Sequence, residues 1–239
     1  MLVVQLSTLN EAGTIQQLLE QIRFVVPDAH ILVIDDNSPD GTGKITSRFA
    51  LEDNAVHLIE RIGRRGLGSA ILEGIKASES LGADIVVYMD ADFSHNPHDI
   101  PLLLQALDVS HEQQFDIAIG SRRIPGGQII GWSWRRHLAS FLVNWFSRFL
   151  LCVPVYDSSS GFRAVRLRAL RDVDFTNIAE GYAFQEDLLW RAHRAGARII
   201  EVPITFTNRD IGKSKVNTKE LISSALNLLK IAFRTWLHV

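Results

Sequence analysis

Residues 86–97, VVYMDADFSHNP, join a β-branched apolar run to two carboxylates spaced Asp-x-Asp. Ile85 to Met89 is short and rich in β-branched residues, so it reads as a strand buried on both faces, the kind found in parallel sheets. In such sheets the functional crevice lies just beyond the carboxyl ends of the strands, which is where Asp90 and Asp92 fall. Residues two apart on an extended segment project to one side, so both carboxylates can address a single hard cation that also bridges phosphate oxygens. Taken alone, the pair reads equally well as a solvated acidic loop. Asn96-Pro97 marks the turn that follows, and Asp99 to Leu107 has the pattern of the next helix.

The strand-then-helix rhythm continues outward from this segment. Leu2 to Leu6, Ile31 to Ile34, Val56 to Ile59 and Phe115 to Ile119 are further apolar strands. Between them lie helical patterns from Asn10, a candidate cap, to about Val25, from Gly43 to Leu51 and from Gly68 to Leu81. This alternation predicts an α/β fold with a mostly parallel, mixed sheet flanked by helices. At 239 residues and 46% hydrophobic, the chain reads as one domain with a sizeable core. Because Leu2 already begins a strand, no cleavable basic and apolar leader is expected. No run reaches the roughly 18 uninterrupted apolar residues of a spanning helix. A single cysteine, Cys152, excludes an internal disulfide and suits a reducing compartment.

The net charge of -2 conceals two unlike halves. Residues 1–120 carry 7 Lys+Arg against 18 Asp+Glu, or -11, while residues 121–239 carry 18 against 9, or +9. From Ser121 to Arg171 nine arginines accompany one acid, Asp157, a balance that suits phosphate groups or an anionic surface. Nucleic acid is not the expected partner, since the overall charge is slightly negative and no nucleic-acid motif is present. In the acidic half, Asp35 to Thr42 (DDNSPDGT) is a strand end in turn-forming residues whose carboxylates can accept from a base or a sugar hydroxyl. Ser38 and Asp40 are equally ordinary turn and cap residues. Arg64-Arg65-Gly66-Leu67-Gly68 is a weak phosphate-loop signal, equally readable as a tight turn before a helix.

Taken in order, several segments resemble family 2 glycosyltransferases. They are Ser7 to Glu11, Asp35 to Thr42, Gly66 to Gly68, Met89 to His95 and Gly120-Ser121-Arg122. The later ones are Gly126-Gly127 to Trp132 with Arg135-Arg136, Asp157 to Arg163 (DSSSGFR), Gly181 to Glu186, Glu201 to Ile204 and Arg209 to Lys215 (RDIGKSK). Within that family the chain looks like the dolichyl- or polyprenyl-phosphate mannosyltransferases, over nearly its whole length. The resemblance implies a GT-A fold, with a nucleotide-sugar and metal half over 1–120, an acceptor half over 121–216 and a C-terminal amphipathic helix over 217–239. It implies that Thr8, Asn10 and Glu11 border the nucleotide and that Asp36 contacts base or ribose. Asp90 and Asp92 would hold Mg2+ or Mn2+ and the donor diphosphate, with Ser94 adding an oxygen. Arg122 and Arg136 would hold the acceptor phosphate, Arg209 and Lys215 would close over the donor, and Gln185 and Glu186 would support the site. Ser7 and Leu9 depart from the Pro-Thr-Tyr-Asn-Glu opening common in the family, which bears on base stacking and nucleotide choice.

The implied reaction is inverting transfer of a hexose, mannose from GDP-mannose in the first instance, to dolichyl or polyprenyl phosphate. A phosphate monoester, with a second pKa near about 6, is already anionic and needs no general base. The enzyme's task is then to orient two anions and neutralise their repulsion, work for a metal, arginines and lysine. A lipid acceptor calls for a membrane-facing surface. From His137 to Leu151 the polar residues His137, Ser140, Asn144, Ser147 and Arg148 recur at helical spacing, leaving Leu138, Phe141, Leu142, Trp145 and Phe149 as a broad apolar face. A second candidate runs from Thr218 to Leu237, opened by Asn217 and Glu220. Either helix reads also as a core or dimer helix. Contact with the cytoplasmic face of the membrane would be peripheral, or made through a separate anchoring subunit. The alternatives are a UDP-sugar-dependent prenyl-phosphate hexosyltransferase, a haloacid-dehalogenase-like phosphatase with Asp90 as nucleophile, and a non-catalytic nucleotide-sugar binding module.

Overall fold

In chain order the elements are β1 (Leu2–Thr8), α1 (Ile15–Val25), β2 (His30–Asp35), α2 (Thr42–Glu52), β3 (Val56–Glu60), α3 (Leu67–Ser80), β4 (Ile85–Asp90), α4 (Ile100–Leu107), β5 (Ile117–Ser121), β6 (Gln128–Ile130), α5 (Trp134–Leu150), β7 (Arg163–Arg166), α6 (Phe184–Arg194), β8 (Ile199–Pro203) and β9 (Thr205–Thr207). The computed structural model describes residues 1–63, 66–108 and 114–208, without the Tyr182 side chain. Arg64, Arg65, Arg209, Lys215 and the helix expected over 217–239 therefore lie outside the described residues.

Successive residues of a strand face opposite sides of the sheet, and the central strands are apolar at both. Val3, Leu32, Ile34, Val86 and Tyr88 face one core, packed against Ala70, Ile71 and Ile75 of α3 and Phe184, Leu188 and Leu189 of α6. Val4, Ile31, Val33, Val87 and Met89 face the other, packed against Ile15, Leu18, Leu19 and Ile22 of α1 and Ile100, Leu103 and Leu107 of α4. The result is three layers, helices on both faces of one sheet.

Seven strands form that sheet, in the order β3-β2-β1-β4-β7-β5-β8. All neighbours are parallel except β7, which runs antiparallel to β4 and β5. From β1 the chain first builds outward through β2 and β3, then returns to lay β4 on the other side of β1. That reversal opens a crevice at the carboxyl ends of β1 and β4, where Ser7 pairs with Asp90 and, one strand over, Thr8 pairs with Asp35. A separate parallel pair, β6 with β9, lies beyond the end of β5.

Two expectations are corrected. Asn10 does not cap the first helix: it is left-handed, at φ 59, and α1 begins only at Ile15. The intervening residues are used as a loop, with the Asn10 N–H donating to Ser38 Oγ at 2.9 Å and Thr14 Oγ1 to Ala91 O at 2.9 Å. The helix expected from Asp99 begins at Ile100, because Pro97–Asp99 first make a tight 3-10 turn in which Asn96 Oδ1 accepts from the His98 N–H.

Candidate active site at the carboxyl edge of the sheet

On the acidic side of the crevice, two loops are laced together by their own polar groups. Asp35 accepts from Thr8 Oγ1 at 2.6 Å, from Ser38 Oγ at 2.6 Å and from the Ser38 N–H at 2.8 Å. Asp40 accepts from Thr42 Oγ1 at 2.6 Å and from the Ala12 N–H at 2.9 Å, while Thr42 Oγ1 accepts from the Glu11 N–H at 2.9 Å. Ser38 and Asp40 thus act as turn and cap residues. Asp36 pairs with the buried Arg61, whose Nε donates to it at 2.6 Å, and accepts from the Gly66 N–H at 2.9 Å. At φ +133 that turn requires glycine, and Asp36 pins it at the head of α3. Thr8, Glu11 and Asp36 are brought to one edge, with Asp36 engaged inside the protein.

The metal-motif loop follows β4 directly. Asp92 and Ser94 are buried, with the Ser94 N–H donating to Asp92 Oδ1 at 3.0 Å, whereas the Asp90 side chain stays 39% exposed. His95 is buried beneath them. Its Nδ1 accepts from the Asp90 N–H at 3.2 Å, which leaves the ring proton on Nε2, an atom with no partner among the described residues. Burial pushes the His95 pKa below its ordinary value, against the pull of Asp90, so the ring is neutral at pH 7.

Across β7 the charge changes sign. Arg122, just past β5, grips the fully buried Asp157 with Nε and Nη2, each at 2.7 Å, and donates its backbone N–H at 2.9 Å. Burial alone would raise the Asp157 pKa, but the Arg122 charge and hydrogen bonds outweigh it and hold the carboxyl below the usual range. The Arg122 guanidinium lies 5.2 Å from the Trp132 ring and 5.3 Å from Phe206. Arg136, in the first turn of α5, stacks over the same Trp132 at 4.0 Å and donates to Asn208 Oδ1 at 3.0 Å. The rings continue inward: Trp132 meets Phe206 at 5.5 Å and Phe206 meets His95 at 5.3 Å. The Thr207 N–H donates to Ser94 O at 3.1 Å, so the metal-motif loop and the arginine cluster share β9 as a common wall.

Gln185 and Glu186 open α6 between the two regions. Gly161 lies beside Gln185: a Cβ there would sit at ordinary contact distance, 3.5 Å from Asp90 Oδ1, 3.7 Å from Gln185 Nε2 and 3.8 Å from His95 Cε1. Glu186 is buried without an ion-pair partner among the described residues, and burial pushes its carboxyl up to about 7 despite its own backbone N–H and the charge of Arg163.

The helix α5 is inside out. It buries Asn144 and Ser147, with Asn144 bonded to Ser158 Oγ at 3.0 Å and the Ser159 N–H at 3.2 Å. It exposes Trp134 at 70%, Phe149 at 57% and Trp145 at 49%, alongside Leu138, Phe141 and Leu142. The polar spacing read from the sequence marks the side facing the protein. No helix among the described residues is long and apolar enough to cross a membrane.

Sequence reasoning noted Asp157 without giving it a partner, and gave no role to His95, Trp132, Gly161 or Phe206. A lone acid among nine arginines was the available signal for Asp157, since a buried carboxylate there must be paired.

Residues 4–174 match the family described as Glycosyl transferase family 2. The chain belongs to that family. It is 42% identical over 217 residues to the polyprenol monophosphomannose synthase of Mycolicibacterium smegmatis, covering 90% of this chain and 80% of that one. It is 40% identical over 211 residues to the undecaprenyl-phosphate mannosyltransferase of Micrococcus luteus, covering 88% and 85%. Among solved structures it resembles a Mycobacterium tuberculosis glucosyl-3-phosphoglycerate synthase in complex with Mn2+, UDP-glucose and phosphoglyceric acid, with TM-score 0.70, 22% identity and coverage of 99% and 80%. The mannosyl-3-phosphoglycerate synthase of Rubrobacter xylanophilus gives TM-score 0.71 at 18% identity, covering 98% and 73%. These neighbours support the GT-A architecture of the mixed sheet.

Proposed function

We propose that the chain transfers mannose from GDP-mannose to a polyprenyl phosphate, with inversion and with the help of a divalent cation, at a membrane surface. The observation that carries this reading is the apposition, across β7 and α6, of an acidic metal motif at the strand-order reversal and an arginine pair sharing one tryptophan. The names of the two mannosyltransferase relatives support the sugar and the lipid class.

Asp90, Asp92 and Ser94 offer hard oxygen donors, and no three His, Cys, Asp or Glu gather into a closed cage among the described residues. That suits Mg2+ or Mn2+, which take one or two carboxylates and complete their shell with substrate phosphate and water. Such a cation neutralises the charge developing on the leaving diphosphate. The loops from Thr8 to Glu11 and from Asp36 to Thr42 border the nucleotide. Arg136, with Arg122 held behind it by Asp157, meets the lipid phosphate, and no side chain need remove a proton from it. The exposed aromatic face of α5 lies next to these arginines and rests on the cytoplasmic leaflet, bringing the membrane to the acceptor site.

Purified protein incubated with polyprenyl phosphate, Mg2+ or Mn2+ and a panel of GDP- and UDP-sugars is expected to give a mannosyl lipid from GDP-mannose, and Asp92→Ala to abolish it. Preference for a UDP-sugar, or full turnover by Asp92→Ala, overturns the donor or the metal assignment respectively.

A further inference from the structure

The buried side of α5 carries an amide, that of Asn144, which is only 5% exposed. Its orientation is fixed by what it meets. The Ser159 N–H can only donate, and it lies 3.2 Å from Oδ1, which also accepts from Ser158 Oγ at 3.0 Å. Nδ2 then points to two oxygens, Ser140 O one turn back on α5 at 2.8 Å and Ser159 Oγ at 3.3 Å. The Ser159 hydroxyl is a junction. It accepts from Asn144 Nδ2 and from Arg122 Nη2, the latter at 3.0 Å, and its own O–H goes to Asp157 Oδ1 at 3.2 Å. A hydroxyl has one donor and two acceptor sites, and here each is taken.

That junction bears on how two arginines are spaced. Arg122 follows β5 whereas Arg136 belongs to α5, yet their guanidinium groups lie 5.2 and 4.0 Å from the same Trp132 ring. Two cations that clamp one anion must keep their separation, and these two ride on different elements. The turn from Asp157 to Ser160 is fixed to the sheet: Ser160 Oγ donates to Gly120 O at 2.6 Å, and the Asp157 N–H to Glu201 Oε1 at 3.0 Å. Asn144 joins α5 to that turn. We infer that Asn144 is a positioning residue, which sets α5 against the turn and, through Ser159, sets the guanidinium of Arg122 relative to that of Arg136. The helix proposed to lie on the membrane thereby carries one acceptor arginine in its own first turn and steadies the other through Asn144 and Ser159. This rests on the acceptor reading proposed above.

The test compares affinities of the full chain for farnesyl phosphate, a short prenyl phosphate, in detergent micelles and, with Mn2+, for whichever of GDP and UDP the wild type binds more tightly. Titration calorimetry on Asn144→Ala is expected to show about tenfold weaker binding of farnesyl phosphate, the scale of one hydrogen bond lost from a charged network, and unchanged binding of the nucleotide. Ser159→Ala should lose at least as much, and the double variant no more than Ser159→Ala alone, since both changes cut the same chain of contacts. Asn144→Ser, too short to reach Ser159, should repeat the result if the alanine variant folds poorly. A lowered midpoint in chemical denaturation with farnesyl phosphate affinity intact would mean that Asn144 only holds α5 to the fold. Equal losses for both ligands would mean general damage, and an additive loss of about a hundredfold in the double variant would mean two independent roles. Each of those results overturns the inference. A wild type that binds the nucleotide but no farnesyl phosphate fails earlier, at the acceptor reading itself, and the inference falls with it.

Discussion

The two sides of the crevice satisfy their charges in opposite ways. On the acidic side, Asp35 is held by several small donors: it takes two hydroxyls and a backbone N–H from Thr8 and Ser38, lacing the end of β1 to the turn after β2. On the arginine side, Arg122 is held by one large partner, Asp157, and beyond it by Ser159 Oγ, while Arg163 is fixed by the carbonyls of Ser158, Ser160 and Gln185. The Asp35 arrangement spreads over several small donors, whereas Arg122 depends on one carboxylate. A rich crop of charge in a motif therefore overstates what is left for ligands, since Asp35, Arg61, Asp157 and Arg163 are all committed to the scaffold.

The sharpest way to break this contrast is to remove one partner on each side. Asp157→Ala leaves a buried guanidinium without its counter-charge and is expected to cost about 3–5 kcal/mol in chemical denaturation. Ser38→Ala takes away one hydroxyl donor to Asp35, leaving the Ser38 N–H and Thr8 Oγ1 in place, and should cost only about 1 kcal/mol. Equal losses would erase the distinction. Next in size is Glu186, the buried carboxyl at the start of α6 with no ion-pair partner among the described residues. Its folded pKa of about 7 lies above the ordinary glutamate value of 4.5, so the neutral form favours the folded state. The stabilisation is complete below pH 4.5 and is lost as pH rises towards 7, by up to about 3 kcal/mol. Glu186→Gln should flatten that slope when melting is followed from pH 5 to 8, and an unaltered slope would place the titration elsewhere. The smallest effect on stability belongs to α5. Trp145→Asp, at an exposed position, should change stability by no more than about 0.5 kcal/mol, yet abolish co-sedimentation with anionic liposomes carrying polyprenyl phosphate. Undiminished co-sedimentation would remove α5 from the membrane surface.

What was legible in the sequence followed from periodicity. The strands β1 to β5 are apolar at consecutive positions and their helices amphipathic, so the α/β class, the sheet's character and the place of Asp90 could be read directly. The antiparallel β7 could not: Arg163-Ala164-Val165-Arg166 has arginines at both ends, and nothing in that pattern says that Arg163 is buried against the carbonyls of Ser158, Ser160 and Gln185. The three-residue β6 and β9 are too short to carry a pattern. Asn10 reads as a cap because its residue type favours both caps and the left-handed backbone that it adopts here. In the site, motifs named Thr8, Asp36, Asp92, Ser94 and Arg122, all of them buried, but not what holds them, since Arg61, Asp157 and Phe206 meet their partners from far along the chain. The α5 pattern was read correctly as two faces, and the packing of Asn144 against Ser158 and Ser159 decides which one is turned outward.

The row of rings from His95 through Phe206 to Trp132 ends beneath Arg136 and begins under the metal-motif loop. Aromatics packed edge to face deform little, so the row acts as a gauge block between its two ends. With both ends referred to the same block, the sheet and outer helices can fluctuate while the separation between the loop after β4 and Arg136 keeps its length.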